Sequence, residues 1–133
     1  MLDQRKLDIF RGGLAVTAVV VAGSILSAAG QAQVTEKHSQ ELFEKRCGGC
    51  HALDRDKEGP RLGGVYGRTA ASVTSFQYSS ALQKSKITWT SQTLDKWLTD
   101  PEKLAPDNDM AFHVESSDER LEIISYLKRH SGK

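Results

Sequence analysis

The 133-residue sequence predicts an all-α domain of about four to five helices joined by long loops. Three observations predict it. No segment alternates apolar and polar residues with the two-residue period of a half-buried strand. Several stretches instead combine good helix formers with helix-start residues. The chain from Ala52 to Tyr66, by contrast, is charged and glycine-bearing and has no period.

Residues 1–32 stand apart from this fold. Arg5, Lys6 and Arg11 precede an apolar run from Leu14 to Ala29, which small residues close at Ser27-Ala28-Ala29-Gly30-Gln31-Ala32. Positive flank, apolar run and small-residue exit are the marks of a secretory signal peptide. Cleavage after Ala32 or after Ala29 fits the pattern. The run is short for a membrane span, which takes ~20 apolar residues. Left uncut, it is the alternative: a membrane anchor. Either way residues 33–133 form the domain, on the far side of the membrane, which in a bacterium is the periplasm.

Along that domain, 30–35 reads as a linker. Residues 36–46 are good helix formers, with Leu42 and Phe43 as an apolar face. Gly59-Pro60, Gly63-Gly64 and Gly67 make the following segment loop. Residues 79–84 suit one short helical turn. A helix over 90–99 takes Thr90 as its cap and puts Leu94, Trp97 and Leu98 on one side. Asp100-Pro101 starts another, with aspartate as N-cap and proline at the first helical position, and Pro106 ends it. Ser116-Ser117-Asp118-Glu119 is a capping box opening the last helix, which presents Leu121, Ile124 and Leu127, with Ile123 and Tyr126 at the edges. It runs to about His130, and Lys128 and Arg129 suit its negative end. Loops this long in a small domain call for a functional reason.

Charge excludes one class of partner. Of 18 basic and 17 acidic groups, three and two lie in residues 1–32, leaving fifteen of each. A neutral domain lacks the basic face that nucleic acid requires. The charges are uneven, however. From Asp100 to Glu122 eight acids (Asp100, Glu102, Asp107, Asp109, Glu115, Asp118, Glu119 and Glu122) face only Lys103 and Arg120.

The two cysteines of the chain fall in Cys47-Gly48-Gly49-Cys50-His51. C-x-x-C-H is the spacing of a c-type haem attachment site. Residues three apart share a face of a helical turn. Two thiols there can bond to the two vinyl groups of one porphyrin, with the next imidazole reaching the iron. A zinc site lacks its second half, since no further cysteine exists, and a redox dithiol lacks a βαβ setting. Met110, the one methionine besides the initiator, lies in the polar loop Pro106-Asp107-Asn108-Asp109-Met110-Ala111-Phe112. Methionine opposite histidine raises the haem potential. His38, His113 and His130 are the other imidazoles able to take that place.

From Gln40 onward the chain resembles a class I cytochrome c, of the mitochondrial and bacterial c2 type. The resemblance implies a small single-haem cytochrome c fold, with long loops wrapping one covalently bound haem c. It implies His51 and Met110 as the metal ligands. Gly59-Pro60 resembles the family's Gly-Pro, which implies that the Pro60 carbonyl orients the imidazole. The run from Leu62 to Arg68 is similar to the family loop carrying an arginine near the haem propionates, which makes Arg68 its counterpart. Phe76-Gln77-Tyr78-Ser79 and Ile87-Thr88-Trp89 resemble the segments whose tyrosine and tryptophan bind propionates, hence Tyr78 and Trp89. Such carboxylates need donors where they are desolvated, and these three side chains supply them. Phe43 and Tyr126 resemble the aromatics where first and last helices cross.

Three departures stand out. Trp97 occupies a place where the family often has tyrosine near the methionine sulfur, which puts that hydrogen bond in doubt. Asp107-Asn108-Asp109 replaces a Gly-Thr-Lys-like run, putting an acid where relatives with anionic partners carry lysine. The loop between His51 and Gly59 is shorter than in the mitochondrial proteins. The function implied is a monomeric one-electron carrier, not an enzyme. Its expected donor is a cytochrome bc1-type complex or a dehydrogenase, and its acceptor an oxidase. Membrane attachment follows only if the N-terminal segment is retained. The rival is an enzyme or gas sensor in which Met110 is labile and the sixth iron position opens.

Overall fold

Helix α1 covers the first twelve positions of residues 35–132, the part of the chain that the computed structural model describes, and ends at Arg46. The expected signal segment lies outside the described residues. The chain divides into the units Met1–Lys37 and His38–Lys133, and all that follows concerns the second. Four more helices complete it: α2 (Ser80–Lys84), α3 (Ser91–Thr99), α4 (Pro101–Leu104) and α5 (Ser117–Arg129). Among the described residues there is no strand, only an isolated antiparallel bridge between Thr69 and Thr88. The all-α expectation holds.

The helix starts follow from local chemistry. Ser79 caps α2 by accepting from Leu82 N. Thr90 accepts from Thr93 N while the Thr93 hydroxyl accepts from Thr90 N at 2.8 Å, a reciprocal box that opens α3. Asp100 accepts from Lys103 N, and Pro101 stands at the first helical position, where no N–H is missed. Ser116 caps α5 by accepting from Glu119 N at 3.3 Å. The other half of the expected box there belongs elsewhere. The Glu119 carboxylate pairs with Arg46, at 2.7 Å, and so ties α5 to the end of α1.

The core lies where α1, α3 and α5 meet. Phe43 is 1% exposed and its ring sits 5.1 Å from that of Tyr126, so the expected aromatic crossing of first and last helices is present. Ile123 is fully buried, with Ile124, Leu127, Leu94 and Leu98 around it. One expectation for α5 is corrected. Leu121 is 60% exposed, and Ile123 and Tyr126, placed at the edges, face the core. Arg120 completes the inner stripe one turn before Ile123 and Ile124. Its guanidinium donates to Asp95 Oδ1 (2.7 Å) and to the carbonyls of Val114 and Glu115 (2.9 and 2.8 Å). A polar tether to α3 thus sits where an apolar stripe would have continued, and Leu121 is turned outward.

The loop from His51 to Ser79 is built on backbone bonds. Leu62 N donates to Ala52 O and Gly63 N to Leu53 O, so the segment after His51 lies alongside the 60s. Asp56 accepts from Arg61 N (2.8 Å) and from Ser75 Oγ (2.6 Å), clasping the loop from both sides. Gly64 and Gly67 turn with φ of +73° and +84°, a region that favours glycine.

Candidate haem-binding site

Cys47 to His51 continue from α1 as one more helical turn. Cys47 N donates to Phe43 O at 2.7 Å, and His51 N to Cys47 O at 2.8 Å. Both thiols are free. Cys47 is buried, and burial, reinforced by the nearby Glu44 carboxylate, pushes its thiol up to about 12. Cys50 is exposed. The motif therefore shows one thiol to the interior and one to solvent, a turn apart.

His51 is oriented from behind. Its Nδ1 lies 2.7 Å from the Pro60 carbonyl oxygen. A carbonyl only accepts, so Nδ1 carries the hydrogen and Nε2 carries the lone pair. Burial holds the imidazole below its ordinary value, against the Pro60 bond, which acts the other way; Lys57 adds to the lowering. Burial thereby favours the neutral ring, the state in which imidazole ligates metal. Gly59 makes room for it. A Cβ on Gly59 would stand 2.7 Å from Nδ1 and 2.8 Å from Nε2 of His51. Gly59 N also donates to Cys50 O (2.9 Å), which locks the Gly-Pro segment to the motif.

Met110 follows α4, half-buried and packed against the core. Two contacts fix it. Its N–H donates to Asn108 Oδ1 at 2.8 Å, and Asn108 Nδ2 in turn donates to Ala105 O at 3.0 Å. Its sulfur accepts from Trp97 Nε1 at 3.0 Å. The doubt raised by finding tryptophan in place of tyrosine is thus resolved: the indole N–H supplies the hydrogen bond. Asp107 adopts φ +65°, the conformation a glycine would take, and short polar side chains tolerate it best.

Arg68, Tyr78 and Trp89 lie in one neighbourhood. Trp89 N donates to Arg68 O at 2.9 Å, and Gly67 N to Trp89 O at 2.6 Å. The Arg68 guanidinium donates to the carbonyls of Gly63 (3.2 Å) and Arg61 (3.0 Å), and burial lowers its affinity for its proton. Tyr78 is close enough to feel Arg68, which acts against the rise that burial imposes on its hydroxyl. Trp89 is buried and its ring meets that of Trp97 edge-on at 5.4 Å. Its indole N–H makes no hydrogen bond among the described residues. His113 pairs with Glu115 at 3.3 Å on the surface, and His130 stacks on Tyr126 with its Nδ1 2.9 Å from Tyr126 O. His38 lies 3.6 Å from Glu122. Each of these three imidazoles has a local partner of its own. One feature escaped the sequence reading: the Glu102 carboxylate accepts the backbone N–H of Asp107 at 3.0 and 3.2 Å, and neither spacing nor composition signals it.

A small helical domain with a C-x-x-C-H turn after its first helix and a methionine loop before its last defines a single-haem c-type electron-transfer protein. Comparison with known proteins makes this specific. The cytochrome c family model matches residues 37–131. The cytochrome c of Euglena viridis is 39% identical over 95 residues, which are 69% of this chain and 93% of that protein. The cytochrome c of Gibberella zeae is 36% identical over 96 residues, 69% of this chain and 91% of its own. Cytochrome cH from Methylobacterium extorquens superposes with a TM-score of 0.65 at 34% identity, covering 68% of this chain and 94% of that one. The chain belongs to the cytochrome c family. Members of that family carry covalently attached haem c, transfer electrons between redox partners and are not enzymes.

The residues present fit that cofactor. The thiols are unbonded, the imidazole turns Nε2 away from its backbone partner, and the thioether sulfur, held by one hydrogen bond, keeps a second lone pair. The unpartnered indole N–H of Trp89 matches what a carboxylate needs.

Proposed function

We propose that this chain is a one-electron carrier whose haem is attached through Cys47 and Cys50 and ligated by His51 and Met110. The observation that supports it most is the 2.7 Å bond from His51 Nδ1 to the Pro60 carbonyl, which orients the ring and leaves the Nε2 lone pair available to a metal. The haem, when bound, supplies a ferric–ferrous couple. The chain's own residues do the rest. Cys47 and Cys50 hold the ring, while Pro60 and Gly59 set the plane of the imidazole. Asn108 and Trp97 hold the thioether. Arg68, Tyr78 and Trp89 donate to the propionates, so that two carboxylates can sit in a half-buried pocket. With His51 and Met110 both holding the iron, the bound group would offer no open site for substrate.

The proposed setting is the periplasm, reached by export and removal of residues 1–32, with retention as an anchor the alternative. No helix among the described residues is long and apolar enough to cross a membrane. The proposed partners are a cytochrome bc1-type complex or a dehydrogenase as donor and an oxidase as acceptor, met by the monomer in brief encounters over small interfaces.

The test is optical and electrochemical. The oxidised protein is expected to show the weak far-red sulfur-to-iron band, and the reduced protein to bind carbon monoxide slowly or not at all. Met110→Ala is expected to abolish the band, lower the midpoint potential and open the iron to ligands. An unchanged spectrum and potential remove Met110 from the site. The native mass, one haem heavier and short of the N-terminal segment, tests attachment and cleavage together.

A further inference from the structure

Tyr66 touches three separate parts of the domain. Its phenol oxygen lies 3.1 Å from Ser91 Oγ at the start of α3, and the Lys128 ammonium of α5 sits over its ring, 5.3 Å from the centroid. Its backbone N–H donates to Ser131 Oγ, just past α5, at 3.0 Å. We infer that Tyr66 is a positioning residue for Arg68: by pinning the turn between Gly64 and Gly67 to α3 and α5, it sets where the Arg68 guanidinium meets the cofactor's carboxylates. The inference rests on the reading of Arg68 as a propionate donor.

The turn needs such a pin. Gly64 and Gly67 take φ of +73° and +84°, and glycine leaves the backbone free to swing at both ends. Only Val65 and Tyr66 carry side chains between them. Val65 is 4% exposed and fixes the depth of the turn in the core. One buried anchor still leaves rotation about it open. Tyr66 removes that freedom, because its contacts lie on two helices at once. The Ser131 hydroxyl that receives its N–H in turn donates to Leu127 O at 2.7 Å, so the acceptor is itself held.

Arg68 follows the turn. Its guanidinium donates to the carbonyls of Arg61 (3.0 Å) and Gly63 (3.2 Å), both in the same loop. A guanidinium has five N–H donors, so these two bonds leave donors for a carboxylate. Its backbone is tied on as well, since Trp89 N donates to Arg68 O at 2.9 Å and Gly67 N to Trp89 O at 2.6 Å. A shift of the turn therefore carries the donor group with it.

The sign of the effect follows from charge. A carboxylate near the iron favours the ferric state, which has one more positive charge, and a guanidinium held against that carboxylate offsets it. Loosening the turn weakens the offset and favours the oxidised form. The expected shift against a reference couple is about two- to threefold, the lower end of what one net hydrogen bond is worth.

The experiment uses the haem-loaded protein. Tyr66→Phe keeps the ring beneath Lys128 and removes the bond to Ser91. It is expected to lower the midpoint potential, by less than Arg68→Gln does. The double variant should lie no lower than Arg68→Gln alone, because one residue acts through the other. The Gly67 amide should exchange faster with heavy water, while the Ile123 amide in the core of α5 is unaffected. A role in stability alone would lower the melting temperature and leave the potential where it was. If Arg68→Gln lowers the potential but Tyr66→Phe does not, or if the two effects simply add, the inference is overturned and Arg68 stands as donor. If Arg68→Gln leaves the potential unchanged, the donor reading fails and this inference with it. Should Tyr66→Phe not accumulate, Ser91→Ala, at an exposed position, removes the same bond from its other end and is read against the same outcomes.

Discussion

The Glu102 carboxylate accepts the backbone N–H of Asp107 through both its oxygens, at 3.0 and 3.2 Å. One of those oxygens also receives Asn108 Nδ2 at 3.3 Å. This brace explains how an aspartate replaces glycine at the start of the methionine loop. A left-handed residue other than glycine needs local compensation, and α4 supplies it from one turn upstream. Glu102→Ala is therefore expected to loosen the loop without touching the iron. Capture of added imidazole by the oxidised protein should speed up severalfold. Stability should fall by about 1 kcal/mol, the usual worth of one such bond. Unchanged capture kinetics would show that the loop is held by Asn108 and Trp97 alone.

Asp56 gives a pH dependence with a definite sign. Its carboxyl is held below the ordinary range chiefly by the Ser75 hydroxyl, and then by the Arg61 N–H. The folded value lies below the unfolded one, so the unfolded chain binds the proton first as pH drops. The stabilisation is present above the ordinary aspartate value of about 3.9 and is lost as pH falls through the folded value. Asp56→Asn should flatten that part of the curve. The check is the melting temperature of both proteins from pH 7 downward. Their difference should shrink below about pH 4, and curves that stay parallel would remove Asp56 from the account.

Gly59→Ala tests the packing behind the imidazole. The added methyl would stand 2.7 Å from His51 Nδ1, and rigid backbone fixes both sides. The ring must tilt or the Gly-Pro segment must lift away. Overpacking of this kind costs about 1–3 kcal/mol. The expected result is a lower melting temperature together with a changed midpoint potential, because the Pro60 bond is disturbed as well. Gly49, with nothing within 4 Å of an added Cβ, is the control, and Gly49→Ala should be near neutral.

Much of this architecture was legible because its signals are local. Thr90, Asp100-Pro101 and Ser116 cap their helices as their residue types predict. Cys47 to His51 form the expected turn for the same reason. The misses are all matters of tertiary choice. Leu121 carries the same periodicity as Ile124 and Leu127, but the Arg120–Asp95 tether decides which side of α5 faces α3. Glu119 has the spacing for a capping box, yet Arg46, 73 positions away in sequence, takes its carboxylate. The identity of Trp97 left the hydrogen bond to the methionine sulfur open. Only the placement of α3 against the methionine loop shows that an indole reaches the same sulfur.

The surface around the methionine loop sets the last prediction. Phe112 is 41% exposed, two residues past Met110, and Asp107, Asp109 and Glu115 are exposed beside it in sequence. An exposed apolar side chain in an acidic segment suits a partner face that is neutral or basic, not an acidic one. Attraction between opposite charges speeds encounter at low salt and fades as the Debye length shrinks to about 10 Å at 0.1 M. The electron-transfer rate with a basic partner protein should therefore fall as salt rises. Asp109→Lys should weaken that dependence and make an acidic partner react faster. The measurement is the second-order rate against ionic strength for both partners. If the unmutated protein reacts fastest with the acidic partner at low salt, docking uses another face.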